Sequence, residues 1–233
     1  MPIPRIVAHR GNTRGPNIAA PENTLAAFEQ AIQVGADMIE TDIRITQDQI
    51  PILHHDPSLN GQPITQLRYA EILAASHTDR PNCHIPTLTE ALKYCGDRIA
   101  LDLEIKHPGH EQLIIGHILQ HYPITQFVIT SFEPRVLRRI RQLNPHITIG
   151  LLLKPQLQHQ LFPCRLKHTI AQFQPNFLAP HYTLLKTPWL TQINPRSIPY
   201  WPWTVNDPKL TQQLQQNPQI TNIITDYTTY SAR

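Results

Sequence analysis

Two short segments of the sequence, 38–43 and 101–106, alternate charged residues with uncharged ones. Successive side chains of a β-strand point to opposite faces, so this alternation places the charged side chains of each segment on one face. Carboxylates that converge in a partly dehydrated site repel one another and become protonated unless a cation neutralises them. Ligand sets made only of oxygen select a hard ion such as Mg²⁺ or Ca²⁺. The charged residues are Glu40, Asp42, Asp102, Glu104 and Lys106.

Two histidines, His9 and His55, follow short apolar runs and would reach the same C-terminal face of a barrel as the carboxylates. A pair of imidazoles beside a metal site is typical of a general acid and a general base. Another arrangement stays open, in which the acids form an ion-pair network with Lys106, Arg44 and Arg10 or lie at a solvated rim. These residues therefore indicate either a metal-dependent acid–base site or a charged structural network.

Eight short apolar runs, separated by amphipathic segments, must position these side chains. Eight strands that alternate with helices in roughly 250 residues predict an α/β fold of the (β/α)8 TIM barrel type. An open doubly wound sheet of this length would have fewer strands. The runs are 5–9, 38–43, 99–105, 127–130, 147–152, 176–179, 199–204 and 221–225.

Helix start and stop signals lie between the runs. A helix is expected to begin at Asn23 or Thr24 and to end before Gly35, where a left-handed residue belongs. Residues 87–90 resemble a capping box, and Pro134 opens a helix that runs to residue 143. Four arginines of this last helix fall on its outer faces. Because the net charge is only +3, we interpret them as a solvated face and not as a nucleic-acid surface.

Two places break the regular alternation of strand and helix. After an extra strand-like run over 50–54, the polar, proline-containing stretch 57–86 predicts a small insertion between the second and third barrel strands. At the C-terminus, residues 226–233 leave little room for an eighth helix, so a truncated final helix is expected. Exposed barrel surface at that end suggests the hypothesis of a homodimer. The whole chain, 1–233, is expected to form one domain that contains the insertion.

Composition excludes several classes of protein. The chain has 233 residues and 26.7 kDa, with 40% hydrophobic and 16% charged residues, which excludes a disordered chain and a strongly basic nucleic-acid-binding protein. Its three cysteines form no CxxC pair, so a reduced compartment is favoured. No apolar run approaches the ~20 residues that span a bilayer, and no leader pattern opens the chain. We therefore expect a cytoplasmic protein without stable membrane insertion.

The motifs in this order resemble the glycerophosphodiester phosphodiesterase family. The N-terminal part of the resemblance, in order and spacing, lies in residues 8–11 (AHRG), 21–28 (PENTLAAF), 35–37, 39–42 and 55–56. It continues through 85–88, 103–106, 131–132, 203–207 and 223–227, so it covers essentially the whole chain. The HRG triplet alone would be a weak signal, whereas the ordered set is specific.

The resemblance implies a metal-dependent hydrolase that releases sn-glycerol 3-phosphate and an alcohol from glycerophosphodiesters such as glycerophosphocholine or glycerophosphoethanolamine. It implies Glu40, Asp42 and Glu104 as ligands of a divalent cation, Mg²⁺ or Ca²⁺, and His9 and His55 as the catalytic pair. The insertion over 57–86 would cover the glycerol end of the substrate. The remaining implied site residues are Arg10 and Lys106 for the phosphate, Trp203 in the pocket, and Glu22 and Asn23 as support.

Two other functions remain open. One is a lysophospholipase D-like enzyme that acts on lysophospholipids at a membrane surface, with Leu184, Leu185 and Trp189 as an apolar lip. The other is a noncatalytic barrel that binds glycerophosphate, although such a binder would be free to lose a histidine or an acid. One departure from the family pattern is His54, which stands directly before His55 and should face the opposite way along the strand.

Overall fold

The computed structural model describes residues 5–11, 14, 20–76, 80–159, 163–194 and 198–227. In these residues, strands and helices alternate along most of the chain. The strands are β1 (Arg5–His9), β2 (Met38–Ile45), β3 (Pro51–Leu53), β4 (Ser58–Leu59), β5 (Gln62–Pro63), β6 (Ala100–Ile105), β7 (Phe127–Ser131), β8 (Ile149–Leu153), β9 (Phe177–Pro180) and β10 (Asn222–Thr225). The helices are α1 (Leu25–Gln33), α2 (Tyr69–Ala75), α3 (Leu88–Cys95), α4 (Glu111–His121), α5 (Pro134–Leu143), α6 (Pro163–Phe173), α7 (Pro188–Ile193) and α8 (Pro208–Leu214).

The parallel strands follow the order β10, β1, β2, β6, β7, β8, β9, and β3 pairs with β2 in the antiparallel direction. The predicted strand over 199–204 is not a regular strand. Isolated parallel bridges join Tyr200 to Leu178 on one side and to Ile220 on the other. Pro199 and Pro202 have no N–H to donate, which prevents a continuous ladder. The bridged segment nevertheless lies between β9 and β10, so the predicted (β/α)8 barrel is confirmed.

Two apolar layers hold the barrel together. The larger one packs outward-facing strand residues against the helices, and it includes Ile39, Leu103 and Leu137. The smaller one lies inside the barrel, where the rings of Phe177 and Trp201 stack with centroids 3.7 Å apart. The alternation of the strands thus separates helix-facing aliphatic residues from the residues of the barrel interior.

The predicted start and stop residues of the helices α1 and α3 are confirmed. Thr24 is the N-cap of α1, and its side chain accepts a hydrogen bond from the Ala27 N–H. Gly35 has a φ of 79° directly after this helix. The capping box is also present, because the Glu90 carboxylate accepts from the Thr87 N–H at 2.7 Å. The local sequence therefore fixes where these helices begin.

The arginines of α5 differ from the prediction of one solvated face. Arg135 and Arg139 are exposed as expected, but Arg141 is half-buried. Its guanidinium donates hydrogen bonds to the carbonyl oxygens of Phe173, Pro145, Ile147 and Gln174 and to the side chain of Asn176. Arg141 therefore ties α5 to the loops around α6 and β8, a role that the helical pattern does not reveal.

Residues 57–86, predicted as an insertion, contain β4, β5, a short 3₁₀ helix and α2, and residues 77–79 lie outside the described part. The side chains of Ile52, Ile64 and Ile72 form a small buried cluster there. The expected truncated final helix concerns residues 226–233, of which 228–233 lie outside the described residues. Among the described residues, no helix has the length and apolar character needed to cross a membrane.

A test of the barrel interior is the substitution Gly150→Ala. A Cβ at Gly150 would lie 2.2 Å from two ring carbons of Phe177, so alanine must displace a fully enclosed aromatic ring. We expect a loss of about 1–3 kcal/mol in the free energy of unfolding, measured by urea denaturation. The matched control is Gly116→Ala inside α4, where an added Cβ meets no atom within 4 Å. That change should stabilise by roughly 0.5–1 kcal/mol, and equal effects of the two substitutions would contradict the packing argument.

Candidate active site

Three of the predicted acids converge at the C-terminal ends of neighbouring strands. Glu40, Asp42 and Glu104 each offer one carboxylate oxygen, and these oxygens lie within 4.8 Å of one another. The parallel register places Asp42 of β2 directly opposite Glu104 of β6. All three side chains are buried. The sequence alternation therefore produces the predicted carboxylate cluster.

Asp102 faces the barrel axis but does not join this cluster. It is fully buried and accepts a hydrogen bond from the Thr130 hydroxyl at 2.6 Å. Burial, with a contribution from the charge of Glu104, raises the pKa of Asp102 to about 7. It lies one position earlier on the same face of β6 than Glu104, and its neutral form is favoured at mildly acidic pH.

Two cations share the acidic cluster. The Lys106 Nζ lies 2.6 Å from Asp42 Oδ1 and 2.8 Å from Glu104 Oε1. The Arg10 Nε lies 3.3 Å from Asp42 Oδ2. Although burial alone would raise it, Lys106 and Arg10 lower the pKa of Asp42 to about 2. The ion-pair network is thus present alongside the carboxylate cluster.

These cations leave the negative charge of the cluster incompletely balanced. Burial and the neighbouring charges of Asp42 and Glu104 raise the pKa of Glu40 well above its ordinary value. Burial, together with Asp42, also raises the pKa of Glu104 to about 7, despite the opposing effect of Lys106. Burial is the main cause of both shifts, and the like charges of the neighbouring acids add to it. Three converging oxygen donors with this incompletely balanced charge fit a hard divalent cation.

A tight turn after β1 brings Arg10 to the acids. Arg10 and Gly11 both adopt left-handed backbone angles, with φ values of 54° and 82°. A Cβ at Gly11 would lie 2.7 Å from the Ala27 Cβ, so this close approach requires glycine. The Arg10 N–H donates to Glu40 Oε2 at 3.0 Å, and its guanidinium donates to both carboxylate oxygens of Glu22. Glu22 therefore orients the guanidinium.

Asn23 holds Asp42 in place from below the turn. It has a φ of 58° and is buried. Its Nδ2 donates to Asp42 Oδ2 at 2.8 Å, while its Oδ1 accepts from the Thr41 hydroxyl at 2.7 Å and from the Asp42 N–H at 3.2 Å. The support predicted for Asn23 is thus visible as three hydrogen bonds to consecutive residues of β2.

His9 is oriented by a residue to which sequence reasoning gave no role. The His9 Nδ1 lies 2.6 Å from Asp226 Oδ1, and the Asn206 Nδ2 donates to Asp226 Oδ2 at 2.7 Å. Although burial would raise it, the hydrogen bond from His9 lowers the pKa of Asp226. An ionised carboxylate can only accept, so His9 Nδ1 carries the hydrogen and Nε2 faces Glu40 at 3.9 Å.

His55 is oriented in a comparable way at the rim of the site. Its Nδ1 lies 2.8 Å from the carboxylate of Asp56, which is exposed. Burial, followed by the charges of Arg10 and Lys106, lowers the pKa of His55, so its neutral form dominates at pH 7. His54 points elsewhere, with its Nε2 3.4 Å from the Ser58 carbonyl oxygen, as its place on the strand predicts.

Arg44 supports His55 and does not join the acidic network that the sequence left open for it. It is buried, and its Nε donates to the carbonyl oxygen of His55 at 2.9 Å. Its guanidinium also donates to Nε2 of His107, a third histidine of the site that the sequence analysis did not single out. The sequence did contain a signal for His107, because this residue directly follows Lys106 at the end of β6 and so lies next to a predicted site residue.

The charged groups border a cavity of about 640 Å³ at the C-terminal ends of the strands. Trp203 lines it as predicted, and its indole N–H donates to the Ala179 carbonyl oxygen at 2.7 Å. Another cavity, of about 530 Å³, opens at the opposite end of the barrel and contains none of the predicted site residues. The charged and aromatic side chains that line it are His9, Arg10, Glu40, Arg44, His55, Glu104, Lys106, His107, Phe132, Glu133, Lys154, His181 and Trp203.

Comparisons with known proteins give matches over most of the chain. The sequence model of the glycerophosphoryl diester phosphodiesterase family matches residues 9–229. The glycerophosphodiester phosphodiesterase of Caldanaerobacter subterraneus subsp. tengcongensis is 28% identical over 244 residues, which cover 95% of this chain and 93% of that protein. YhdW of Bacillus subtilis (strain 168), a candidate glycerophosphodiester phosphodiesterase, is 31% identical over 95% of this chain and 94% of its own length.

Solved structures share the fold. An Oleispira antarctica phosphodiesterase in complex with the product sn-glycerol-3-phosphate superimposes with a TM-score of 0.78 at 26% identity, covering 97% of this chain and 94% of that one. A structure from Agrobacterium tumefaciens str. C58 reaches a TM-score of 0.82 at 20% identity, covering 98% of this chain and 95% of its own, a likeness that concerns the fold alone.

The buried Asp102 predicts a pH-dependent stability. Its raised pKa means that the folded protein holds a proton that the unfolded chain releases, so its contribution to stability is lost as pH rises toward and through 7. Asp102→Asn imitates the protonated form and can keep the hydrogen bond from Thr130. We expect its stabilising effect to be roughly 2 kcal/mol greater at pH 8 than at pH 5. Urea denaturation of the metal-free protein at both pH values measures it. The control is Asp97→Asn at an exposed position, and equal gains at the two pH values would refute the argument.

Proposed function

The chain belongs to the glycerophosphoryl diester phosphodiesterase family, and on that premise we propose that it hydrolyses glycerophosphodiesters in a reaction that depends on a divalent cation. The products are sn-glycerol 3-phosphate and an alcohol, and glycerophosphocholine and glycerophosphoethanolamine are representative substrates. The observation that carries the proposal is one cavity lined by His9, His55, Glu40 and Glu104, the last two of which form the carboxylate cluster with Asp42. A phosphodiester anion needs both charge stabilisation and proton transfer, and this cavity supplies groups for both.

The carboxylates Glu40, Asp42 and Glu104 would hold the cation, Mg²⁺ or Ca²⁺. When bound, such an ion neutralises charge that develops on the phosphoryl oxygens. Arg10 and Lys106 add charge-assisted donors on the same side of the cavity, where they bind and orient the phosphate. Both side chains are already held by ion pairs with the acids, so they need little reorganisation when substrate binds.

The two histidines divide the proton transfers between them. The lowered pKa of His55 favours the neutral imidazole, which accepts a proton from the attacking hydroxyl group of water or of the substrate's glycerol. We therefore assign the base to His55 and, for the first step, the acid to His9. His9 Nε2 would donate a proton to the leaving alkoxide, because Nδ1 is held by Asp226. One imidazole must be neutral and the other protonated, which gives a bell-shaped pH dependence of the rate.

The apolar lip considered for a lysophospholipase D-like enzyme is not exposed among the described residues. Leu184 and Trp189, considered as an apolar lip, are buried in the main core, and Leu185 packs against that core. A noncatalytic binder would need neither an oriented His9 nor the hydrogen-bonded pair of Asp226 and Asn206.

The central test is release of glycerol 3-phosphate from glycerophosphoethanolamine and glycerophosphocholine, with and without a chelator. We expect the chelator to abolish release and re-addition of Mg²⁺ or Ca²⁺ to restore it. His9→Ala and His55→Ala should each lower kcat by about 10²–10⁴-fold. His54→Ala is the matched control, because His54 is adjacent in sequence but does not line the cavity. Chelator-insensitive release, or full activity of both histidine variants, would exclude the mechanism.

Asp226 is proposed as a positioning residue for His9, and it can be compared with the partner of His55. Asp226→Asn removes the charge that fixes the His9 Nδ1–H, so we expect kcat to fall about 100-fold with little change in KM. Asp56→Asn should cost much less, because that carboxylate is exposed and screened by solvent. Steady-state kinetics and thermal denaturation of both variants measure these effects. A loss of thermal stability with unchanged kcat would assign Asp226 a structural role only.

A further inference from the structure

One wall of the active-site cavity is aromatic. It is formed by Phe132 and His181, which directly follow β7 and β9, and by Trp203, which lies within the bridged segment over 199–204. The Trp203 ring meets the other two edge to face, with centroid distances of 5.4 Å to Phe132 and 5.1 Å to His181. Trp203 is fixed by its indole hydrogen bond to a strand carbonyl, so the wall presents a defined surface to any substrate. We call these three residues the aromatic wall.

A lysine lies against this wall. Lys154 directly follows β8, and its Nζ lies 4.7 Å from the centroid of the Phe132 ring. Lys154 is exposed and lines the cavity. Among the described residues, no carboxylate lies within 4.0 Å of its Nζ, and this includes Glu133, the acid that lines the same part of the cavity.

The other cations of the cavity are already engaged. Lys106 and Arg10 pair with the acidic cluster, and Arg44 donates to the His55 carbonyl oxygen. Burial lowers the pKa of His181, so this ring is neutral at pH 7. Among the cavity residues that the structure describes, Lys154 is therefore the cation at the aromatic wall that remains available to an incoming group.

An aromatic surface of this kind would ordinarily attract a quaternary ammonium group. Here the protein's own ammonium group occupies the Phe132 ring, so a trimethylammonium head group would have to displace Lys154 or lie next to a like charge. An anionic head group is attracted instead, because the Lys154 Nζ can donate charge-assisted hydrogen bonds to it. A neutral polyol should bind at the aromatic wall more strongly than a trimethylammonium group and less strongly than an anionic group.

We propose, building on the function inferred above, that the aromatic wall binds the head group of the diester and that Lys154 selects anionic head groups over trimethylammonium head groups. The substrate class is a glycerophosphodiester whose alcohol carries a second negative charge, such as a phosphorylated glycerol. The carboxylate cluster and its cations bind the scissile phosphate, and Lys154 binds the second anionic group.

The test compares three diesters that differ only in the alcohol: glycerophosphocholine, glycerophosphoglycerol and glycerophosphoglycerol phosphate. For the native protein we expect the highest kcat/KM with the phosphorylated alcohol and the lowest with choline. Lys154→Met keeps the length of the side chain and removes its charge. It should shift the ratio of kcat/KM between the phosphorylated and choline diesters by roughly tenfold toward choline, mainly through KM. Lys93→Met, at an exposed position of α3, should leave the ratio unchanged.

Three results separate this proposal from the proposed function. An unchanged ratio in Lys154→Met overturns it, and so does an equal loss on all three diesters, which would place the common glycerol end against Lys154. If the native protein releases glycerol 3-phosphate from no diester, the proposed function fails instead. Isothermal titration calorimetry of the same three diesters with the native protein and with Lys154→Met then tests the subsite without turnover. The preference in Kd for the phosphorylated diester over the choline diester should fall roughly tenfold in the variant, and an unchanged preference would overturn the proposal.

Discussion

The interaction on which the site depends is the mutual repulsion of carboxylates buried at one end of a parallel barrel. Glu40, Asp42 and Glu104 lie too close together for all three to ionise without compensation. Lys106 and Arg10 stabilise Asp42 strongly, but the pKa values of the other two acids stay raised. The fold therefore holds a region of unbalanced negative charge that a divalent cation would neutralise. Burial of these acids is costly for stability, and a bound cation would offset that cost.

The other groups of the cavity are held by neighbours that do not need to touch substrate. Asn23 fixes the carboxylate of Asp42, Asp226 fixes the ring of His9, and Arg44 holds the backbone of the second histidine. Each of these contacts joins a strand end to a loop. A catalytic constellation needs this precision, because small displacements of a proton donor or a ligand are expensive for the reaction. These hydrogen bonds thus hold Asp42, His9 and the His55 backbone in defined positions.

The sequence was sufficient for those parts of the site that follow from local periodicity. Alternation along two strands predicted the carboxylate cluster, and the parallel register then placed Asp42 opposite Glu104. Alternation could not distinguish Asp102 from the three acids of the cluster. Its separation from them depends on its depth in the barrel and on the Thr130 hydroxyl of another strand. The contact between His9 and Asp226 spans 217 positions, and no local pattern carries such information. Long-range pairs of this kind become visible only once the barrel is closed.

The closing segment over 199–204 shows how local chemistry and tertiary structure act together. Its apolar residues predicted a strand, but its prolines cannot donate to neighbouring strands, so only isolated bridges form. The segment still places Trp201 in the barrel interior and Trp203, two residues later on the same face, in the wall of the cavity. Asn206, a little further along, anchors the carboxylate that orients His9. The least regular strand position of the barrel therefore links its inner packing to both the aromatic wall and the carboxylate that orients His9.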